Sequence, residues 1–437
     1  MTIAGRLRER RYAPAIEDRA ALYDGSPDEA ERLETQLGLW NREWKRVQSS
    51  VPFYRDLCRK GKAPSEFRSW NEFLESVPIT TRSRVQSEKN RLVSTERPEE
   101  FRRMTGGSTA EPVQIPAWHS EQAHTGIDMW LARGWYGITP SSRLFMLWGH
   151  SHLLGKGLRG WINGQLRRMR DGAVGYYRFS AYNLEPEMLR RAARELTRFR
   201  PDYMIGYSVA LDLFARANIK GGVDLGDLDM KVVVGAAEAF PTKDSESLLT
   251  GMLRCPVAME YGSVETGLIG HSHPDGGYRV FWKTYFLEAE RSESSSAWQV
   301  RVTSLYPRCF PLVRYEMGDE ILFAEARDDL VTGVDSFERV LGRCNDYIVL
   351  SDGFTVHSEV FTHAVRPCEA IMSYQVVQAE GDLRIRYIAA APLSRPDLDD
   401  IRTRLDRVHP ELRHIPVERV AKLEQTIAGK TRMVIRK

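Results

Sequence analysis

Apolar residues recur at three- and four-residue steps at Leu33, Leu37, Trp40, Trp44 and Val47, which puts them on one helical face. The charged stretch from about Asp28 to Cys58 is therefore expected to be helical, with Ser50-Val51-Pro52 breaking the pattern. A second helix is expected from near Ser69, and Pro78-Ile79-Thr80-Thr81 reads as a turn before another short one. Further on the texture alternates. Leu144 to Trp148 is a short apolar run, expected as a buried strand, and Pro186 to Arg200 is a helix, acidic at its start and Arg-rich at its end. Tyr203 to Ile205 follows as a strand, Val209 to Ala217 as a helix, and Lys231 to Gly235 as a strand containing three consecutive valines. Strand–helix alternation of this kind predicts a parallel sheet with crossover helices.

After Gly277 strands dominate. Arg279 to Trp282, Phe286 to Glu288 and Trp298 to Ser304 suggest a smaller antiparallel or barrel-like part. The tail returns to an α+β pattern, with strands at Tyr374 to Gln378 and Leu383 to Ile388 and a helix from Pro396 to His409. The expected fold class is α/β: a large N-terminal domain over residues 1–341, with mixed and parallel sheets, helices and the small barrel-like part, then a small, mobile α+β domain over residues 342–437. Its boundary lies near Gly342 to Asp346.

With 437 residues the chain exceeds what one core usually holds, which agrees with two domains. Its 42% hydrophobic and 28% charged residues are ordinary for a globular protein, and a net charge of +3 does not imply a nucleic-acid partner. The five cysteines are scattered and form no CxxC, which fits a reducing compartment better than a disulfide framework. The N-terminus is basic without an apolar signal core, and no stretch approaches the roughly 18 apolar residues of a membrane helix. A cytoplasmic protein with no membrane or nucleic-acid partner is expected.

Three segments have compositions suited to chemistry. Thr105-Gly106-Gly107-Ser108-Thr109-Ala110-Glu111-Pro112 is either a polar turn or a loop whose N–H and hydroxyl groups wrap phosphate; its spacing is not that of a Walker loop. Tyr261-Gly262-Ser263-Val264-Glu265-Thr266-Gly267 follows an apolar run and so sits at a strand end, where open α/β sheets bind ligands. It offers an aromatic ring, a hydroxyl and a carboxylate suited to Mg²⁺; a plain strand-to-loop turn with a solvated Glu is the alternative. Arg314 to Asp319 puts at a turn an Asp able to accept both hydroxyls of a ribose, or one simply favoured at a type I turn. Leu341 to Ile348 and Ala428-Gly429-Lys430-Thr431-Arg432 say little alone, and Lys430 by itself reads as a solvated terminal lysine.

In order and spacing, these segments resemble the motifs of the adenylate-forming superfamily of acyl-CoA synthetases, adenylation domains and luciferases. The octapeptide at Thr105 resembles T-S-G-T-T-G-K-P; Tyr261 to Glu265 resembles Y-G-x-T/S-E with Val264 as an extra residue. Arg314 to Asp319 resembles R-Y-x-x-G-D, Gly342 to Asp346 the G-R-x-D-D hinge, and Gly429-Lys430 the terminal catalytic G-K. Pro52-Phe53-Tyr54-Arg55, Pro78 to Thr81, Arg200 to Ser208 and Asp352-Gly353 with Val356-His357 resemble its phenylacetate–CoA ligase and capsule-biosynthesis branch. The resemblance runs from about residue 30 to the end.

The resemblance implies ATP-dependent activation of a carboxylate as acyl-AMP. Thr105, Gly106, Gly107, Ser108 and Thr109 would hold the β- and γ-phosphates, Glu265 would bind Mg²⁺, and Ser263, beside Gly262, would contact the α-phosphate. Tyr261 would stack near adenine beside the Ala236-Ala237-Glu238 segment, and Asp319 and Arg343 would reach the ribose. Lys430 would bridge carboxylate and α-phosphate after rotation of the C-terminal domain. A carboxylate pocket is expected around Trp148, His150, Tyr207 and Gly235, aromatic enough for an aryl or arylacetic acid.

The chain departs from the family pattern at Ala110 and Glu111 in the phosphate loop and at Asn345 in the hinge. Where some relatives carry a Cys-rich zinc site it has only His271, His273 and Cys309, which read as loop histidines beside a nucleotide site. Lys156 to Arg170 is basic around Trp161: either a surface for coenzyme A phosphates or a carrier protein, or a solvated loop or amphipathic helix, the reading preferred. The expected acceptor is coenzyme A, with an amine or carrier-protein thiol as the alternative. A catalytically silent nucleotide-binding protein is the remaining alternative, suggested by Ala110, Glu111 and Asn345.

Overall fold

The computed structural model describes residues 2–23, 27–96, 100–104, 114–148, 157–181, 184–237, 239–240, 244–292, 297–343, 347–352, 355–365, 367–379, 382–406, 408–424 and 434–436. The chain opens with helix α1 (Ile3–Ala21), then α2 (Glu29–Ser50), α3 (Pro52–Arg59), α4 (Trp70–Ser76) and α5 (Arg82–Glu88). The breaks follow local chemistry. Asp28, Ser69 and Thr81 cap α2, α4 and α5 through their side-chain oxygens, and Pro52 takes the first turn of α3.

A hairpin of β1 (Glu100–Met104) and β2 (Gln114–Trp118) leads into α6 (His119–Gly134). The central layer follows: β3 (Leu144–Leu147), α7 (Gly157–Ala173), β4 (Tyr176–Phe179), α8 (Pro186–Phe199), β5 (Tyr203–Tyr207), α9 (Ser208–Lys220), β6 (Val232–Ala236), α10 (Ser245–Leu253) and β7 (Val257–Ser263). Adjacent pairs among β3 to β7 are parallel, as the alternating pattern predicts. Antiparallel β8 (Gly267–Ser272), β9 (Tyr278–Val280) and, late in the chain, β14 (Ser336–Phe337) extend them to eight strands in the order β14-β9-β8-β7-β6-β5-β3-β4.

Burial on both faces explains the valine run. Val233 joins Phe145, Leu147 and Met204 against α8, α9 and α10, whereas Val232 and Val234 face Trp130 of α6 together with Leu144 and Ile205. Leu189, Ala192, Ala193 and Leu196 give α8 its buried stripe.

The strand-rich part after Gly277 is an antiparallel sheet of five strands, β13 (Leu330–Thr332), β10 (Tyr285–Arg291), β11 (Trp298–Ser304), β12 (Tyr315–Leu322) and β15 (Arg339–Arg343), in that order. It shares a core with α2 to α5, in which Trp40, Trp44 and Val47 are buried as their spacing predicts and Trp70 stacks on Phe286 with centroids 3.5 Å apart. The C-terminal elements are β16 (Tyr347–Val349), β17 (Thr355–His357), α11 (Ser358–Val365), β18 (Ser373–Ala379), β19 (Asp382–Ile388), α12 (Arg395–Asp406), β20 (Val417–Arg419) and β21 (Val434–Arg436). Their buried apolar residues form a core cluster of their own, from Ile348 to Val434. No described helix is long and apolar enough to cross a membrane.

Candidate functional site

The carboxyl ends of the parallel strands set out the site. Gly262 lies at a place where no side chain fits, since a Cβ there would come within 2.0 Å of the Gly267 carbonyl oxygen. That close approach closes the β7–β8 turn. Thr266 fastens it: its Oγ1 accepts from the Ser263 amide at 2.9 Å and donates to the Gly267 carbonyl at 2.7 Å. The turn holds Glu265 half-buried at the strand end.

The backbone of this turn is gripped by two arginines. Arg308 donates to the carbonyls of Glu265 and, at 3.1 Å, Thr266; Arg103, on β1, donates to the Glu265 carbonyl at 3.4 Å. Both guanidiniums reach Glu121 Oε2 at 3.5 Å, while Glu121 Oε1 accepts from the amides of Trp118 and Cys309, each at 2.9 Å. Arg308 and Glu121 are fully buried. Two cations thus share one carboxylate, and burial together with Arg308 holds the Arg103 guanidinium below its ordinary pKa. Tyr306 and Tyr285 complete the cluster, their phenols kept protonated by burial, and His124 stacks on Tyr306 with centroids 4.3 Å apart. Burial, Arg19 and Arg308 lower His124 to about 4, so it is neutral at neutral pH.

The first resemblance-based motif attaches here. Met104 and Gln114, which flank segment 105–113, are register partners at the end of the β1–β2 hairpin where that segment joins the strands. Arg103 ties that hairpin to Glu265. Thr105, Gly106, Gly107, Ser108, Thr109, Ala110 and Glu111 themselves lie outside the described residues, as do His150, Glu238, Asn345 and Lys430.

Tyr261 and Asp319 come together from different sheets. The Tyr261 hydroxyl donates to Asp319 Oδ2 at 3.4 Å, and Asp319 pairs in register with Arg343, whose side chain is not described. Ala236 ends β6 and is followed by Ala237 at φ 73°, a left-handed conformation rare for a residue with a Cβ. Such backbone costs roughly 1–3 kcal/mol and concentrates at ligand-binding positions.

Among the pocket candidates, Trp148 and Tyr207 do meet, with ring centroids 4.4 Å apart. Gly235 sits beside them in the sheet but faces filled space: a Cβ there would lie 2.4 Å from Met259 Sδ and 2.9 Å from Phe240. His271 is fully buried, with Nδ1 on the Ser272 carbonyl at 2.8 Å, and burial lowers its pKa. No group of three or more His, Cys, Asp or Glu side chains able to hold a metal occurs among the described residues.

Other motif residues serve the framework. Arg314 is buried at φ 46° and holds Glu288 through Nε and Nη2 at 2.8 to 3.1 Å, while Nη1 donates to the carbonyls of Leu74 and Val77 at 2.6 and 2.9 Å. Thr80 forms a bridge to Tyr315, and its hydroxyl lies 3.2 Å from that of Tyr54. The Pro52 to Arg55, Pro78 to Thr81 and Arg314 motifs are therefore one packed joint between the helical layer and the antiparallel sheet. The sequence reading missed Arg103, Arg308, Glu121 and His124. The available signal was Arg102-Arg103, one residue ahead of a Gly/Ser/Thr segment.

This is the fold of the acyl-adenylate-forming ligases. A 2-hydroxyisobutyryl-CoA ligase, in its postadenylation state with 2-HIB-AMP, superposes with a TM-score of 0.69 at 17% identity over 94% of this chain and 90% of that one. The anthranilate CoA ligase AuaEII, in complex with anthranoyl-AMP, gives 0.52 at 14% identity over 78% of this chain and 67% of that one. Among curated proteins, Protein CapK of Staphylococcus aureus is 24% identical over 222 residues, 48% of this chain and 46% of its own. The match spans about half the length of that relative. No family model matches the chain.

Proposed function

We propose that the protein uses ATP to convert a small-molecule carboxylate into its acyl-adenylate, releasing pyrophosphate, and then transfers the acyl group to coenzyme A. The observation that carries this reading is the Arg103 contact, which joins the hairpin bearing the phosphate-loop motif to the carbonyl of Glu265 at 3.4 Å. That contact brings the strand leading into the Thr105 motif, 160 residues before Glu265 in sequence, to the β7–β8 turn, which supports the reading.

In the first half-reaction a carboxylate oxygen bonds to the α-phosphorus as the bond to the pyrophosphate oxygen breaks, and no proton need move. The protein's task is positioning and charge neutralisation. Thr105 to Thr109 would supply N–H and hydroxyl donors to the outer phosphates, Ser263 would face the α-phosphate, and Asp319 with Arg343 would fix the ribose. Tyr261 and Ala236 to Glu238 would flank adenine. Trp148 and Tyr207 would present aromatic surface to the acid, with His150 beside them and Gly235 as a closed floor. Lys430 would bring its ammonium to the reacting carboxylate when residues 342–437 turn as a domain against residues 1–341.

Glu265 fits Mg²⁺: a single half-buried carboxylate suits an ion whose remaining ligands are phosphate oxygens and water. When bound, Mg²⁺ neutralises polyphosphate charge. In the second half-reaction the coenzyme A thiol, having lost its proton, bonds to the acyl carbon and AMP leaves. A cytoplasmic setting, where ATP and coenzyme A are available, suits this chemistry.

Carboxylate-dependent pyrophosphate–ATP exchange across a panel of aryl, arylacetic and short hydroxy acids tests the reading. Exchange with at least one acid is expected, and none with any acid would leave a nucleotide-binding protein without catalysis. Product formation that requires coenzyme A supports the acceptor. Product formed with an amine or a phosphopantetheinylated carrier protein, and not with coenzyme A, replaces it.

A further inference from the structure

Two neighbouring helices turn apolar side chains outward. On α7, Ile162, Leu166 and Met169 follow steps of four and three and share one face; on α1, Ile3 and Leu7 do the same. They are between 43% and 81% exposed, and they are five of the eleven large apolar side chains exposed among the described residues. The outward face of α1 continues with exposed Arg6, Arg10 and Arg11, and α7 adds exposed Arg168 and Arg170. The described acidic groups of α1 and α7 are few. Asp171 is buried against Arg178 at 2.6 Å, Glu9 is half-buried, and exposed Glu17 and Asp18 lie at the far end of α1.

The first turns of α1 meet the chain just past the end of α7. Arg8 donates to the carbonyl of Val174, just past α7, at 3.4 Å and lies over the Tyr176 ring at 4.7 Å. A Cβ on Gly175 would stand 3.8 Å from the Thr2 methyl. This end of the pair flanks the start of β3 and β4, where the Leu144 amide donates to the Gly175 carbonyl at 3.0 Å. Trp148, Tyr207 and Ala237 lie at the opposite ends of the strands.

We propose that α1 and α7 form a docking surface for an anionic lipid bilayer, resting in the headgroup plane with Ile3, Leu7, Ile162, Leu166 and Met169 turned into it and the arginines against lipid phosphates. Protruding apolar side chains ringed by arginine are the chemistry of a helix lying in a membrane interface. A second copy on this face would set arginine against arginine. A carrier protein delivering an acyl acceptor would have to reach the carboxyl ends of the strands, opposite the end where α1 meets the chain after α7. The inference does not depend on the ligase reading, and it concerns the membrane surface, since no described helix crosses one.

Flotation with vesicles of equimolar phosphatidylglycerol and phosphatidylcholine tests it. The protein is expected to float with them, less as salt rises, and to stay behind with pure phosphatidylcholine vesicles. Arg168→Glu/Arg170→Glu should weaken vesicle binding at least roughly tenfold, because each basic residue contributes severalfold. Leu166→Ser/Met169→Ser should weaken it about as much, by removing inserted apolar area. Both variants change exposed residues and should keep the parent's circular dichroism and melting temperature. The proposal is overturned if the parent ignores anionic vesicles or if both folded variants bind as the parent does. It is also overturned if light scattering shows a dimer that Leu166→Ser/Met169→Ser dissociates, which assigns the face to a second copy.

Discussion

Two buried arginine sites lie a few residues apart in sequence and differ in their balance of charge. Arg314 meets one carboxylate, Glu288, and spends its remaining donors on two backbone carbonyls, so charge and hydrogen bonds are matched. At the other site Arg103 and Arg308 share Glu121 at 3.5 Å, and among the described residues neither Glu121 Oε2 nor Arg308 Nε has a hydrogen-bond partner and two guanidiniums face one carboxylate. A matched pair is what a joint between layers needs. Unmatched positive charge among the described residues beside Glu265 is what an anionic ligand would complete. The contrast sets a site whose charge the fold itself matches against one where, among the described residues, it does not.

The largest expected effect breaks the matched site. Arg314→Met should cost about 3–5 kcal/mol, because it strands Glu288 in the core. Urea denaturation checks this. Arg314→Met/Glu288→Met should recover a good part of the loss, since a buried pair replaced as a whole leaves no lone charge. A double variant as unstable as the single one would mean that the bonds to Leu74 and Val77, and not the ion pair, hold the joint.

Next is the pH response of the unmatched site. His124 sits at about 4 when folded, against 6.5 when unfolded, so the unfolded chain takes up the proton first on acidification. Its contribution is complete above pH 6.5 and is lost as pH falls toward 4. By pH 5 the loss is about 2 kcal/mol. Asp128 acts with the opposite sign: burial raises it to about 6, so its term grows more favourable as pH falls through 6 toward the unfolded value of 3.8. The parent therefore shows the net of these opposing contributions together with those of other shifted groups such as His271, whereas comparison with a variant isolates His124. His124→Phe should retain about 2 kcal/mol more stability than the parent on going from pH 7 to pH 5, measured by denaturation at each pH. Parallel pH curves for parent and variant would remove His124 from the account.

How much of this was legible in the sequence depended on whether packing was apolar. The Leu33 to Val47 stripe and the alternation from Leu144 to Gly235 showed their elements because hydrophobic burial writes a period into the chain. Helix α1 wrote none. It is held by Arg8 over Trp130 and Tyr176 and by Arg19 on Asp128 at 2.6 Å, while its apolar Ile3 and Leu7 point outward. Tyr261 and Asp319 could be paired by motif order alone. That Gly235 faces Met259 and Phe240 could not be seen, because the filling side chains come from β7 and the segment after β6. Arg308 carried no local signal either; apart from Tyr306, its partners Glu121, Glu265 and Thr266 are 42 residues or more away.

Removing one of the two guanidiniums that share Glu121 should separate stability from binding. Arg103→Met leaves Arg308 matched to Glu121, so unfolding free energy should change by no more than about 1 kcal/mol. The KM for ATP in pyrophosphate exchange should rise roughly tenfold, about 1.4 kcal/mol, from the lost charge near the polyphosphate. Binding of a non-hydrolysable acyl-adenylate analogue, which lacks the outer phosphates, should be little changed. If stability fell as far as in Arg314→Met, the two arginine sites would be of one kind and the contrast would fail.

The smallest effect belongs to Tyr261, and its smallness is informative. The hydroxyl contacts Asp319 at 3.4 Å and Met317 Sδ at 3.8 Å, both long for a bond that fixes geometry. Its ring is buried edge-on against Phe337, with centroids 5.6 Å apart. Tyr261→Phe keeps the ring and loses only the weak donor, so KM for ATP should rise no more than about threefold, within the net value of one hydrogen bond. Asp319→Ala removes the acceptor proposed for the ribose and should raise the same KM by tenfold or more. A larger effect in Tyr261→Phe than in Asp319→Ala would reverse the roles, with the phenol touching the nucleotide and the carboxylate merely orienting it. Measuring both variants against ATP and against the acyl-adenylate analogue decides the matter, because both ligands carry the ribose and only one carries the polyphosphate that Arg103 is expected to sense.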